Sequence, residues 1–510
     1  MEATDLGFGE EAAQGRSTRS RGLPTRTFTS LVLAGLVAGC AVGPDFTRPA
    51  PPETSRYTVA PLPAQTASAS TPFGDAQQFR LGEDVDAQWW KKLGAPRLDS
   101  LIEKAFESSP TLAAARATLR QAQELHSAQA GATLYPQIDA SLGAQRQRMS
   151  PSALGQSGNA REFSLYNASV GVHYRFDLAG GNRRALEALT ARTDYRRHEL
   201  AAVRLTLAAN ITATAIVRAR LASQISATQA MIGAQEEQIK VTRERVRLGQ
   251  AAPDELLPLQ TQAEQTRAGL SLLRKQLDQS EHLLATLSGQ APGSAEVPGF
   301  TLDEFKLPVD LPVMLPSELV RRRPDIQAAE ALLHAANADY GVAVAKLYPQ
   351  INLSASLGSQ ALTTGALFGG GSAVWSALGQ LTQPLFNPGL PAEKRASLAA
   401  LDAAAANYQG VVLDALRSVA DTLRALDHDA QSLASLAAAD TYAQSSVESV
   451  KRQYALGAAN YTQLLLAQQQ AQQSRIGLVA AQAQRLADSV ALYQSLGGGH
   501  EIAEKIAEGK

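Results

Sequence analysis

The sequence predicts a mostly α-helical protein that also carries transmembrane β-strands. It is built from one helix–strand–strand–long helix–helix unit used twice. Two very long helical stretches, four short alternating segments and a set of recurring motifs lead to that class. The first long stretch, Arg183 to Leu248, has no proline and one glycine (Gly233), and is dense in Ala, Leu, Glu, Gln and Arg, the strong helix formers. Leu207, Ile211, Ile216, Leu221, Ile225, Ile232 and Ile239 recur along it at helical steps. At 1.5 Å per residue the stretch would reach about 100 Å. Ala396–Leu456 repeats the pattern.

The repeat is visible in motifs. Leu134-Tyr135-Pro136-Gln137-Ile138 recurs as Leu347-Tyr348-Pro349-Gln350-Ile351, and Pro110 pairs with Pro324, each before an Ala-rich helix. Phe176-Asp177 pairs with Phe386-Asn387, Leu248-Gly249 with Leu456-Gly457, and Leu287-Ser288-Gly289 with Leu496-Gly497-Gly498. These anchors keep one order and nearly one offset, the mark of a duplicated unit. The expected organisation is a signal peptide with lipobox (1–39), an extended N-terminal segment (40–97), a first repeat (98–289), an equatorial linker (290–315), a second repeat (316–498) and a tail (499–510). Strands are expected near 138–146, 165–176, 351–360 and 374–383, and helical hairpins at 183–287 and 392–494.

In the strands, Ile138, Ala140, Leu142 and Ala144 alternate with Asp139, Ser141, Gly143 and Gln145. Tyr166, Ala168, Val170, Val172, Tyr174 and Phe176 alternate with Asn167, Ser169, Gly171, His173 and Arg175. Ile351, Leu353, Ala355 and Leu357 continue the pattern, and the segment around Trp375–Pro384 follows it less cleanly. Such strands suit a transmembrane barrel, apolar to lipid and polar to the lumen, although a soluble sheet with one wet face has the same period. Four strands cannot close in lipid. A barrel would take eight strands from a dimer or twelve from a trimer, in a symmetric homo-oligomer.

The helices form columns. A helix from about Asp254 to Leu287, a Gly- and Pro-rich break at Ser288–Leu315, and a helix from Pro316 to about Lys346 together match one long helix. The stretches Leu98–Thr133 and Tyr461–Gln494 do the same beside Ala396–Leu456. Three chains would then give twelve columns, with the linker and tail around the waist.

At the N-terminus, Arg16, Arg19, Arg21 and Arg26 precede an apolar run from Phe28 to Ala38 that is too short to span a bilayer. Val37-Ala38-Gly39-Cys40 closes it with small residues, so it reads as a secretory signal ending in a lipobox. Cys40 would become the first mature residue, carrying N-acyl and diacylglycerol lipid. As the single cysteine it excludes an intrachain disulfide. Gly43 to Arg80, rich in Pro, Ser, Thr and Ala, reads as a tether or a strap lying on the body. Trp89 and Trp90 then start a short helix packed on it.

A net charge of −1 gives no footing for nucleic acid. There is no Gly-rich phosphate loop, no HExxH and no paired Cys or His at metal spacing, and the seven histidines are scattered. No enzyme, metal or cofactor is expected. The candidate functional residues sit at the far ends of the long helices. They are Arg245, Arg247, Gly249, Asp254 and Glu255 in the first unit, and Arg452, Tyr454 and Gly457 in the second. On one reading they only cap: Gly249 and Gly457 end helices in the left-handed conformation, and Asp254 starts the next helix. On the other they close a tube, with Asp254 or Glu255 repeated around a narrow axis and Arg245 or Arg452 tethering hairpins, for instance to Tyr454.

The motifs resemble the outer membrane factors (TolC-like) of tripartite efflux pumps, in the NodT-type lipoprotein branch. They are Cys40-Ala41-Val42-Gly43-Pro44-Asp45-Phe46, Trp89-Trp90, Leu315-Pro316-Ser317-Glu318-Leu319 with Arg322-Arg323-Pro324-Asp325-Ile326, and Leu456-Gly457 with Leu496-Gly497-Gly498-Gly499. The resemblance implies a homotrimer with a twelve-stranded β-barrel in the outer membrane, continued by a twelve-helix periplasmic α-barrel. It implies passive efflux of drugs, solvents or other small molecules, with a periplasmic membrane fusion (adaptor) protein and an inner-membrane transporter of RND type as partners. Two departures concern the gate: Glu255 stands where the family commonly has Asp, and Pro258 follows it. Type I protein secretion, metal efflux, or a periplasmic helical scaffold or adaptor are the alternatives.

Overall fold

The computed structural model describes residues 41–499 apart from 152–154, 156 and 295. The expected signal peptide, Cys40 and the tail from 500 onward lie outside the described residues. In chain order the elements are β1 (Gln78–Leu81), a 3-10 turn (Trp89–Leu93), α1 (Pro96–Ser108), α2 (Pro110–Leu134), β2 (Gln137–Met149) and β3 (Arg161–Phe176). Then come α3 (Gly181–Arg247), α4 (Leu256–Leu287), β4 (Asp310–Val313), α5 (Pro316–Arg322) and α6 (Pro324–Ala345). The chain ends with β5 (Gln350–Ala361), β6 (Ala373–Thr382), α7 (Gly389–Ala455) and α8 (Tyr461–Ser495).

The long helices α3 and α7 have 67 residues each. Two stretches expected as single helices are split at equivalent points. Ser109 and Arg323 both take extended backbone, with ψ of 123° and 124°. Each precedes a proline whose ring disfavours helical geometry in the residue before it. That proline then opens the next helix, where its missing N–H costs nothing.

The four long strands form one antiparallel sheet in the order β2-β3-β5-β6, with β3 and β5 joining the two repeats. Its register puts Ile138 opposite Val172, Val170 opposite Leu357, and Leu357 opposite Trp375, so the apolar sets share one face. The other face carries hydroxyl pairs, Ser141 to Ser169 and Ser356 to Ser376, both at 2.8 Å. The sheet is open. The expectation of a twelve-stranded barrel continued by a twelve-helix barrel is therefore corrected: the chain is a mostly helical fold with an open antiparallel sheet, and no barrel closes. Among the described residues β2 and β6 each have one partner strand, and four strands are half of the smallest known closure. Among the described residues α3 is the one helix long and apolar enough to cross a bilayer, and most of that stretch is buried within the fold.

Near the sheet α3 touches α2 and α6, and α6 touches α7; toward the far turns α3 touches α4 and α8, and α8 touches α7. Between these halves lies a waist. Trp89 and Trp90 are buried there with Ile211, Ile216, Leu486 and Val490 in one apolar cluster. Trp89 stacks on Tyr493 at 5.5 Å between centroids, and Trp90 meets Phe106 edge-on. The N-terminal segment is a strap on this body. β1 pairs in parallel with β4 of the linker, and the Tyr57 hydroxyl donates to the Met314 carbonyl at 2.9 Å. Nearer the sheet, buried Arg184 donates to Asp45 at 2.7 Å, and the Val42 amide donates to the Ala179 carbonyl at 3.0 Å. The strap thus starts at the junction of sheet and helices.

Candidate functional site

The far ends of the two hairpins meet, and their geometry follows from helix termination. Gly249 and Gly457 take φ of +72° and +74°, where a side chain would be strained. Gln250 N–H reaches back to the Arg245 carbonyl and Ala458 N–H to the Gln453 carbonyl, both at 2.8 Å. These bonds satisfy carbonyls that the last helical turn leaves open. The returning helices start differently. Asn460 caps α8 reciprocally: it accepts from the Gln463 amide at 3.0 Å, and its own amide donates to the Gln463 side chain at 2.9 Å. Asp254 does not cap α4. It lies exposed in a 3-10 turn, Pro253–Glu255, and the Glu255 carboxylate accepts from the Ala252 amide at 3.4 Å. Pro258 falls in the first turn of α4, where a proline is tolerated.

The same Glu255 reaches across the gap between hairpins. Its Oε2 accepts from the Tyr454 hydroxyl at 3.1 Å, and the Arg245 guanidinium lies over the Tyr454 ring at 5.2 Å from the centroid. Tyr461 stands edge-on to Tyr454 at 6.4 Å. Burial, then the Glu255 carboxylate, raises the Tyr454 pKa, with Arg245 opposing. Burial, then Tyr454 and Glu255, pushes Tyr461 up to about 12. Both phenols are therefore neutral throughout the physiological range, and Tyr454 remains a donor.

Of the candidate residues, Arg245, Glu255 and Tyr454 come together, and Gly249 and Gly457 shape the turns that bring them there. Arg247 turns back to Glu244 of its own helix at 2.9 Å, and Arg452 is exposed. Sequence reasoning missed Tyr461 and the amide contacts above the tip. Gln468 donates to Gln238 at 2.7 Å and Gln469 to Gln262 at 2.7 Å, bridging α8 to α3 and α4. A glutamine on a long polar helix gives no signal of its partner. A cleft of about 1500 Å³ runs between the hairpins from the tip upward, lined by Arg245, Tyr454, Gln238, Gln468, Met231 and Gln472 among others. Among the described residues no cluster could hold a metal ion.

Comparison with known proteins gives the family of the chain. The family described as outer membrane efflux protein matches residues 101–290 and 315–498, once in each repeat. The chain belongs to that family. It is an outer-membrane channel component of an efflux system, a class without catalysis. It is 32% identical over 422 residues to the pyoverdine export outer membrane protein OpmQ of Pseudomonas aeruginosa, covering 81% of this chain and 87% of that protein. It is 28% identical over 485 residues to the toluene efflux pump outer membrane protein TtgC of Pseudomonas putida, covering 93% and 96%. The solved structure of the outer-membrane channel OprN superposes with a TM-score of 0.81 at 26% identity, covering 90% of this chain and 99% of that one.

Proposed function

We propose that this chain is a lipid-anchored, homotrimeric exit duct of a tripartite efflux pump, of the NodT type, whose resting closure is the contact among Arg245, Tyr454 and Glu255. That contact is the observation that carries the reading. It joins residues 199 positions apart through one neutral donor and one carboxylate, a bond worth only about 1.5–3 kcal/mol. A partner that competes for Glu255 or Tyr454 would break it. Supporting the trimer, the fold has unsatisfied flanks at every level: β2 and β6 in the sheet, and α2 and α7 in the helix layer beside it. Each flank differs from the opposite one, so copies would meet head to tail, an arrangement that gives a ring when the rotation between copies closes. The apolar face of the sheet, with exposed Leu142, Leu357, Trp375 and Leu381, would face outer-membrane lipid. The strap that follows Cys40 begins at the sheet–helix junction, where acyl chains on Cys40 would reach the same membrane. An adaptor protein and an inner-membrane transporter of RND type would engage the tips, and the transporter would select the cargo, as drugs, solvents or other small molecules.

Single-channel recording in planar bilayers tests the closure. Tyr454→Phe and Glu255→Gln should each raise the open probability several-fold over wild type. Currents indistinguishable from wild type in both variants would remove the contact from the gate. Palmitate labelling tests the anchor, and Cys40→Ser should abolish it.

A further inference from the structure

Far from the tips, at the waist, two arginines converge on Phe106 near the end of α1. The Arg204 guanidinium of α3 lies over the Phe106 ring, 4.3 Å from its centroid. Arg116 of α2 donates to the Phe106 carbonyl at 3.0 Å. Arg204 is half-buried, and its Nε is shut from water with no acceptor. Arg116 is exposed, as is Arg120 one turn further along α2. The ring face and the carbonyl at a helix end offer only partial negative charge. Among the described residues none of the three arginines is in an ion pair; of the α1 acids nearby, Glu103 pairs with Lys91 at 3.7 Å and Glu107 is exposed. Burial first, then the neighbouring Arg116, lowers the Arg204 pKa. The site therefore holds positive charge that nothing within it offsets.

The chain leaves the described fold close by. A side chain on Gly498 would collide with Leu205, the residue after Arg204, and one on Gly499 would collide with the Ala87 backbone. Two rings bridge from there to Phe106: Trp89 meets Trp90 edge-on at 5.8 Å, and Trp90 meets Phe106 at 5.6 Å. Residues 500–510 follow, with Glu501, Glu504 and Glu508 against Lys505 and Lys510. Glu501 and Glu504 come two and five residues after Gly499, a reach of about 7 and 17 Å in extended chain. That reach matches the width of the two intervening rings.

We propose that Arg116 and Arg204 form a carboxylate-binding site at the waist whose ligand is the chain's own C-terminal segment, held through Glu501 and Glu504. A guanidinium presents a planar fork of donors that a carboxylate meets with two oxygens. A counter-charge also removes the cost of leaving a half-buried guanidinium uncompensated. So docked, the segment ties the end of the second repeat to the α1–α2 start of the first.

Hydrogen exchange on the full-length protein in detergent tests the site. Amides of residues 502–509 should exchange about tenfold more slowly than their intrinsic rates. Arg116→Gln, Arg204→Met, and Glu501→Gln together with Glu504→Gln should each return them toward those rates. So should ~0.5 M NaCl, which shortens the Debye length to about 4 Å. Arg116 is exposed, so its variant serves if Arg204→Met fails to fold. Arg274→Gln, at an exposed position of α4, should leave the protection unchanged. Intrinsic rates in the wild type overturn the proposal, as does protection that survives both the arginine and the glutamate replacements. If inorganic phosphate protects the amides around Phe106 while residues 502–509 exchange freely, the site takes a free anion and the proposal fails. In a Cys40→Ser background, Ala113→Cys with Ala503→Cys should form a disulfide within one chain when oxidised with diamide. A disulfide-linked dimer would give the site to a neighbouring copy's segment and overturn docking within the chain.

Discussion

Along the single helix α3, the stretch at the waist and the stretch near the tip are held by different chemistry. At the waist Ile211, Ala215, Ile216, Ala219 and Leu221 are buried, in contact with the Trp89–Trp90 layer or the helices around it. Toward the tip the buried positions of the same helix are Gln224, Thr228, Gln235 and Thr242, with Ile232 the one large apolar residue among them. Gln235 donates to Thr266 of α4 at 3.2 Å, and Gln238 accepts from Gln468 of α8. A buried aliphatic side chain contributes about 1.5–3 kcal/mol, and a neutral hydrogen bond nets about 1 kcal/mol because water replaces it when it breaks. The waist therefore resists separation, while the lower hairpins exchange partners with water at little cost. One continuous helix can in this way be a fixed post at one end and a movable leaf at the other.

The contrast can be broken at the waist first. Ile211→Ala should destabilise the fold by about 2–5 kcal/mol, since the site is fully buried and cannot collapse easily; a thermal midpoint unchanged from wild type would show that the waist is not where stability resides. Gly457→Ala forces a side chain into left-handed backbone and should cost about 1–2 kcal/mol, read as faster exchange at the tip amides with those of the waist unmoved. Asn460→Ala should cost about 1 kcal/mol by removing the α8 cap, again confined to the tip. The smallest effect belongs to the paired replacement Gln238→Met with Gln468→Met. Because both partners of the hydrogen bond leave together, stability should stay within about 1 kcal/mol of wild type. The apolar seam should nonetheless slow opening in single-channel records. Strong destabilisation by this double change would mean that the amide contact carries more of the lower half than its chemistry suggests.

Much of this architecture is legible in residue patterns. The alternation in β2, β3 and β5 foretells which side chains share a face, because a strand turns each successive residue to the opposite side. Leu248-Gly249 and Leu456-Gly457 announce helix ends, because only glycine enters left-handed backbone without strain. Ser109-Pro110 and Arg323-Pro324 also carried a readable signal. A proline inside a helical pattern marks a new start, and its effect on the preceding residue is local. At the tip, Glu255 and Tyr454 stood out as residue types suited to a closure, yet their pairing could not be read, because nothing in either neighbourhood encodes a contact across α4, the linker and most of the second repeat.

What the sequence alone determined is what depends on neighbours within a turn or a strand: the long helices, the faces of the strands, the turns and the duplicated order of elements. The tertiary structure decided what depends on distant segments arriving together. It left the sheet open, since four strands make it up and its edge strands β2 and β6 each pair with one strand among the described residues. It paired β1 with β4, buried Arg485 and Asp488 under the strap, and brought Tyr454 to Glu255. Burial and long-range electrostatics are properties of packing, and packing exists only once the helices have been laid side by side.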